Sequence, residues 1–122
     1  MIKKLIGAKI LDVKKLEEVD ELLDIITDKG VMHFYHDRDC CESVWLEDGF
    51  DDLKAIVGEK IINAEVIINH DEGEAFPDTE DSYTWTYYKI STLNHDCTLR
   101  FYGTSNGYYS EEVDLIWRKN KK

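Results

Sequence analysis

A chain of 122 residues is the size of one domain and can bury one hydrophobic core, so we expect residues 1–122 to form a single unit. The formal net charge of -11 argues against a nucleic-acid polymer or an anionic membrane as a partner, because binding to either depends on Lys and Arg. The three cysteines are an odd number and no secretory apolar run opens the chain, which predicts reduced thiols in a cytoplasmic protein without a transmembrane helix.

Alternation of apolar and polar residues with a period of two predicts β-strands along most of the chain. In chain order, the predicted strands are residues 10–15, 22–27, 31–36, 43–46, 61–69, 83–92, 97–102 and 108–117. The segments Asp28-Lys29-Gly30 and Asn106-Gly107 are typical of hairpin turns, because Gly and Asn accept a positive φ.

The one predicted helix covers residues 51–58. Asp51 or Asp52 can accept hydrogen bonds from its first N–H groups, and Gly58 can take the left-handed position after its end. A helix over residues 16–26 is an alternative to a strand there, but its β-branched end disfavours it, since such side chains lose rotamer freedom in a helix. The whole pattern predicts an α+β domain, mostly an antiparallel β-sheet meander with one short helix packed on it.

Residues 103–107 match G-x-S-x-G, the nucleophile-elbow pattern of serine hydrolases. That elbow requires a helix after the serine and a histidine further along the chain. Here a predicted strand follows Ser105, and no histidine follows His95. We therefore interpret the match as part of a turn, and we expect neither catalytic residues nor an enzyme.

Four residues of metal-ligating type lie close together in the chain: His33, His36, Cys40 and Cys41. A zinc site needs such groups to converge tetrahedrally on one ion. Residues three apart on a strand point to opposite faces, so His33 and His36 do not reach one ion from the predicted strand. We expect no metal and no cofactor.

Aromatic residues carry the most informative pattern in the chain. Tyr83, Trp85 and Tyr87 share one face of their predicted strand. On the next strand Arg100 falls between two apolar residues of core type, which places its side chain on the opposite face. An arginine among rings can stack on a nucleobase and form a forked contact with a phosphate. The alternative is a solvent-facing arginine beside an aromatic core layer, and the residues taken alone favour that alternative.

Three segments together resemble a known family. They are HDRDCCESV at residues 36–44, YTWTYY at residues 83–88 and RFYGTSNGYYSE at residues 100–111. With these segments the chain resembles, from residue 2 to residue 113, the phage anti-defence sponges that act against the Thoeris immune system. The SNGYYSE segment is the most specific part of the resemblance, and DCCE is the next.

The resemblance implies a function. Sponges of this family bind the cyclic ADP-ribose isomers that bacterial TIR enzymes make on infection, and they hold the signal without cleaving it, so the Thoeris effector stays inactive. They are homo-oligomers built from dimers, they act in the cytoplasm of the infected bacterial host, and some members also hold cyclic oligonucleotides at a separate site. Two alternatives stay open: an acidic interaction protein that inhibits a host enzyme directly, and an enzyme that hydrolyses a nucleotide signal.

The resemblance also implies ligand-binding residues. Arg100 matches the family's arginine near the SNG turn, and Phe76 is the best candidate for the ring that stacks on adenine. Aromatic and polar residues complete the expected set: Trp85, Tyr83, Asn106 and Arg38. The expected site thus combines stacking rings with two arginines.

Overall fold

The computed structural model describes residues 1–71, 75 and 82–120, and in them the chain forms eight strands and one short α-helix. After a 3-10 helix (Ile2–Leu5), the elements are β1 (Ile10–Lys15), β2 (Glu21–Thr27), β3 (Gly30–Tyr35), β4 (Ser43–Asp48), α1 (Phe50–Ala55), β5 (Ile61–His70), β6 (Ser82–Thr92), β7 (Asp96–Ser105) and β8 (Asp114–Lys119). Every strand pair among these residues is antiparallel, which confirms the predicted fold class. No helix within the described ranges is long and apolar enough to cross a membrane.

The predicted meander is divided between two four-stranded sheets. The first sheet has the order β1-β2-β3-β8, and the second has the order β4-β7-β6-β5. The ring of Phe34 in β3 contacts the rings of Tyr88 and Phe101 in the second sheet, with centroids 5.2 and 5.6 Å apart. The two sheets therefore pack face to face around one core, and Leu53 of α1 is fully buried in that core.

The last strand differs from its prediction. The sequence predicts a strand over residues 108–117 that pairs with β7 through an Asn-Gly hairpin, whereas β8 begins at Asp114 and pairs with β3 of the other sheet. Gly107 does take a positive φ of 96°, so the turn is correct locally. Residues 106–113 then carry the chain across to the first sheet, because alternation defines the face of a strand but not its neighbour.

Two glycines explain smaller differences. Gly30 has no positive φ in its turn; an added Cβ there lies 2.6 Å from the carbonyl oxygen of Arg118, so Gly30 is needed for close packing against β8. The helix α1 follows Gly49, which has a φ of 104° and supplies no side-chain cap. Asp51 and Asp52 lie in the first turn, where they favour the helix through its dipole and not as caps.

Three connections lie together at one end of the sheets, and we call them the loop end (residues 16–20, 36–42 and 106–113). Contacts between the connections hold them together. The Nδ1 atom of His36 lies 2.7 Å from the carbonyl oxygen of Glu112, and the N–H of Asp37 donates to Asp114 at 2.9 Å. The connections that contain the DCCE and SNGYYSE segments therefore meet at the loop end, although the two segments are far apart in the chain.

Candidate functional site

The second sheet carries aromatic residues in rows on the face that points away from the core. Trp45 of β4, Tyr102 of β7 and Trp85 of β6 are register partners and form one row. The next row contains Arg100 of β7 and Tyr87 of β6. Facing residues of antiparallel strands project to the same side, so these side chains share one surface. We call this surface the aromatic face; its members are Trp45, Tyr83, Trp85, Tyr87, Arg100 and Tyr102.

The rings of the aromatic face pack tightly against each other. The ring centroid of Tyr102 lies 4.7 Å from that of Trp85, 5.2 Å from that of Trp45 and 5.8 Å from that of Tyr83. Tyr102 is 0% and Trp85 is 2% exposed, although neither belongs to the core between the sheets. Trp45, Tyr83 and Tyr87 are partly buried. Two buried rings thus support a surface on which three other rings reach solvent.

Arg100 lies on this cluster, on the face that strand alternation predicts. Its Cζ atom is 4.6 Å from the centroid of the Trp85 ring, which is a cation–π contact. Its neighbours Leu99 and Phe101 are fully buried in the core, so the guanidinium turns outward. The Arg100 side chain is 38% exposed, and Nη1 lies 3.6 Å from Oδ2 of Asp48. Arg100 is therefore an accessible cation held over an aromatic ring.

The other residues of the expected site are only partly brought together. Tyr83 belongs to the aromatic face, whereas Asn106 lies beyond the end of β7, exposed, with its side-chain oxygen accepting a backbone N–H of its own turn. A strand rises about 3.3 Å per residue, so Asn106 lies about 20 Å from Arg100. Phe76 lies outside the described residues. The structure thus brings Arg100 into contact with Trp85, places Tyr83 further along the same face, and leaves Asn106 at the loop end.

Arg38 lines a different cleft. Its Nε donates to both carboxylate oxygens of Asp20, at 3.1 and 3.0 Å. The cleft has a volume of about 380 Å³ and lies between the connection of residues 16–20 and β4. Trp45 also lines this cleft and contacts Tyr102, so Trp45 belongs both to the cleft and to the aromatic face. The structure does not bring Arg38 and Arg100 into one pocket.

A buried carboxylate organises the SNGYYSE segment. Glu111 accepts hydrogen bonds from the hydroxyls of Ser105, at 2.5 Å, and Thr84, at 2.6 Å. The Oγ atom of Ser105 also accepts the N–H of Gly107 at 3.0 Å. Ser105 is 1% exposed and ends a strand without a helix after it, so its hydroxyl stabilises the turn and has no access to a substrate. The G-x-S-x-G match therefore encodes a turn that is fixed by a nearby glutamate.

A second buried carboxylate organises the DCCE segment in a similar way. Glu42 accepts the N–H groups of Asp39 and Cys40, at 2.8 and 2.9 Å, and its Oε2 lies 3.0 Å from Nε2 of His36. The side chains of His36 and Glu42 are fully buried. Burial by itself raises the pKa of Glu42, but the backbone hydrogen bonds and His36 outweigh burial and lower this pKa to about 2. Glu42 is thus an ionised anchor for the connection between β3 and β4.

The cysteines differ from the prediction of three reduced thiols. Cys40 and Cys41 are joined by a disulfide, and Cys97 is free. The prediction depended on the cellular compartment, which does not decide the state of two thiols that the chain itself holds side by side. Cys97 is buried, and burial together with the charge of Asp52 raises the pKa of its thiol to about 12. Cys97 therefore packs as a small apolar group.

Comparison with known proteins assigns the chain to a family. A family model described as a domain of unknown function, DUF7448, matches residues 3–115. The chain belongs to the DUF7448 family. No curated protein and no solved structure matches it. The matched residues of this DUF7448 domain include the whole aromatic face and the whole loop end.

Trp45 and Asp48 of the DUF7448 chain lie beside Arg100 or its rings and were not among the site residues predicted from the sequence. Trp45 carries a signal that could have found it, because its neighbours in β4 are apolar and alternation turns it outward. Asp48 carries no such signal. The register of β4 shifts between Leu46 and Asp48, and this bulge turns Asp48 toward Arg100.

Proposed function

We propose that this DUF7448 protein binds a cyclic ADP-ribose immune signal on the aromatic face and holds it without cleaving it, which keeps the host Thoeris effector inactive. On this proposal it is a phage anti-defence protein that acts in the cytoplasm of the infected bacterium. The observation that carries the proposal is Arg100, an accessible guanidinium 4.6 Å from the centroid of the Trp85 ring and on the same face as three partly buried rings.

The chemistry of such a signal suits these groups. A cyclic ADP-ribose isomer offers an adenine ring, riboses and a diphosphate. One aromatic side chain contributes about 1–3 kcal/mol by stacking on one base. A guanidinium forms forked, charge-assisted hydrogen bonds with a phosphate. Tyr87 is the register partner of Arg100 on the adjacent strand, so a ring and the cation lie within reach of one small ligand.

The acidic net charge of the chain opposes an anionic ligand only weakly. Charges are screened over about 8 Å at physiological salt, so the groups on the aromatic face decide the local potential. Arg100 is one cation on this face. Lys89, which lies two residues beyond Tyr87 in β6 and is exposed, is a second. Three carboxylates lie near these cations: Asp48 faces Arg100, Glu47 contacts Trp45, and Glu65 is the register partner of Lys89.

Retention without cleavage is supported by the surroundings of the groups that a hydrolase would use. The hydroxyl of Ser105 is buried and bonded to Glu111. The ring of His36 is fully buried and has both nitrogens in hydrogen bonds. The ring nitrogens of His33 lie beside two carboxylates. These side chains are occupied within the fold.

The proposal is tested by mass spectrometry of bound nucleotide. Purified protein is incubated with the product of a TIR enzyme, washed and heated. We expect an intact cyclic ADP-ribose isomer in the released pool, and much less from Arg100→Ala treated in parallel. Linear fragments in that pool favour a nucleotide hydrolase. Absence of any nucleotide, together with capture of a basic host protein, favours the acidic interaction protein.

We also propose that the protein is a homo-oligomer built from dimers, and the edge of β5 supports this. The chain has 3 Trp, 7 Tyr and 4 Phe, more than one small core accommodates. β5 is an edge strand of the second sheet, ten residues long, with Glu65 as its one carboxylate and without Lys, Arg or Pro. Val66, Ile67 and Ile68 are 41%, 39% and 47% exposed. The N-terminal segment covers the start of this edge, where Gly7 donates to Ile61 and Lys3 donates to Ala64. Beyond Ala64 the edge can pair with another strand, and two copies of one strand can pair about a two-fold axis.

Replacing Ile68 with lysine is expected to convert the oligomer to a monomer at micromolar concentration, because a charge on an open edge opposes strand pairing. Light scattering measures the outcome. The matched control is Leu93→Lys, which makes a similar change at an 84% exposed position in the turn between β6 and β7 and should leave the oligomer intact. A parent protein that is already monomeric contradicts the proposal.

A further inference from the structure

Asp48 contacts the proposed ligand-binding arginine directly. Its Oδ2 atom lies 3.6 Å from Nη1 of Arg100. Its Oδ1 atom accepts the N–H of Gly49 at 2.9 Å, a single hydrogen bond that orients the exposed carboxylate toward Arg100. The positive φ of Gly49 belongs to the turn that ends β4. The ion pair is therefore built into the end of β4 and does not depend on two long side chains meeting by chance.

The position of Asp48 results from a β-bulge. The register between β4 and β7 shifts between Leu46 and Asp48. In a regular strand Asp48 would share the face of Leu46, which is buried. With the bulge, two successive carboxylates reach the aromatic face: Glu47 accepts the indole N–H of Trp45 at 2.7 Å, and Asp48 faces Arg100. A bulge that re-aims a side chain in this way is typical of functional surfaces.

We propose that Asp48 competes with anionic ligands for Arg100 and so sets how favourable the other contacts of a ligand must be before the ligand occupies this arginine. The inference rests on the proposed binding of an anionic signal at Arg100. A simple anion offers Arg100 charge alone and has to displace Asp48 to make a forked contact. A ligand that also stacks on the neighbouring rings gains enough to displace it. Asp48 therefore reduces occupation of Arg100 by abundant small phosphates.

The surroundings of Asp48 suit this role. Its side chain is 67% exposed, so it can move aside without opening the core. The guanidinium of Arg100 also contacts the Trp85 ring, so Asp48 is one of two groups that contact it. Glu47 is engaged with the Trp45 indole. Asp48 is thus the carboxylate whose displacement frees Arg100.

The test compares Asp48→Asn with the parent protein, using cyclic ADP-ribose and inorganic pyrophosphate as separate probes. Asparagine keeps the size of the side chain and an oxygen that accepts the N–H of Gly49, but it lacks the charge. We expect both probes to bind about two- to fivefold more tightly, which is the range of an exposed ion pair. Asp51→Asn removes the same charge from the nearby first turn of α1 and should leave both affinities unchanged.

A double-mutant cycle separates competition at Arg100 from a general effect of charge. In an Arg100→Ala background, Asp48→Asn should improve binding less than it does in the parent protein. Equal binding of cyclic ADP-ribose by the parent and Asp48→Asn overturns the inference and leaves the proposed function standing. Tighter pyrophosphate binding without any binding of cyclic ADP-ribose supports the inference and overturns the proposed function. Absence of binding of both probes to every variant overturns both.

Discussion

Replacing Arg100 with alanine is expected to weaken the binding of cyclic ADP-ribose by about 30- to 1,000-fold, which corresponds to about 2–4 kcal/mol. The variant removes the cation that contacts the Trp85 ring. The diphosphate of the ligand still gives up hydrogen bonds to water on binding, but it no longer gains a forked, charge-assisted partner. Calorimetric titration of the free protein with cyclic ADP-ribose measures the difference.

Two further variants test the chemistry of this contact. Arg100→Lys should restore little of the lost affinity, because lysine is a point charge without the planar fork of arginine. Phe76→Ala should weaken binding by about 1–3 kcal/mol, the usual contribution of one ring to one base. A full rescue by lysine would show that charge alone, and not forked geometry, is what Arg100 supplies.

The melting temperature separates a binding role of Arg100 from a structural one. The side chain is 38% exposed and its ion pair with Asp48 is on the surface, so its removal should change the melting temperature little. Arg118→Ala, at an exposed arginine of the first sheet, is the matched control and should leave binding unchanged. If Arg100→Ala binds like the parent or simply unfolds, Arg100 is a framework residue and our site assignment is wrong.

Replacing Glu42 with glutamine is expected to lower the free energy of unfolding by about 3 kcal/mol at neutral pH. The pKa of Glu42 falls from an ordinary 4.5 to about 2 in the folded protein, and a shift of that size corresponds to about 3 kcal/mol. Glutamine keeps the shape, but its NH₂ group replaces one of the two accepting oxygens and so faces the backbone N–H of either Asp39 or Cys40. Urea denaturation at neutral pH measures the loss.

The pH dependence of this loss has a definite sign. Because the folded-state pKa of Glu42 is lowered, its carboxylate contributes fully to stability above pH 4.5, and this contribution disappears as the pH falls toward 2. The difference between the parent and Glu42→Gln should therefore be constant near neutral pH and shrink below pH 4.5. Asp39→Asn, at an exposed acid of the same connection, is the matched control and should have nearly the stability of the parent at neutral pH. A difference that stays constant down to pH 2 would falsify the role of Glu42 as an ionised anchor.

The sequence by itself determined which residues of β7 face the core. Leu99 and Phe101 are fully buried and Arg100 lies on the other face among rings, as alternation predicts. This part of the fold follows from near neighbours in the chain, because a strand turns successive side chains to opposite faces. The turn at Gly107 also follows from local chemistry, since glycine accepts its positive φ.

Only the tertiary structure decided how the strands divide into sheets. Residues 106–113 cross to the first sheet and β8 pairs with β3, whereas the sequence predicts a hairpin with β7. Alternation assigns a face to each strand, and either neighbour satisfies it. The choice depends on packing between residues far apart in the chain, such as Phe34 against Tyr88 and Phe101.

The candidate site shows the same division. The expected site contained Arg100 and its rings together with Arg38 and Asn106. In the structure Asn106 lies at the loop end, and Arg38 lines the cleft between residues 16–20 and β4. Asp48 reaches Arg100 through a one-residue bulge that no alternation pattern contains. Glu111 finds its partner Thr84 across the sheet. Side-chain direction along a strand is a local property, whereas the partner of a buried or bulged charge is selected by the assembled fold.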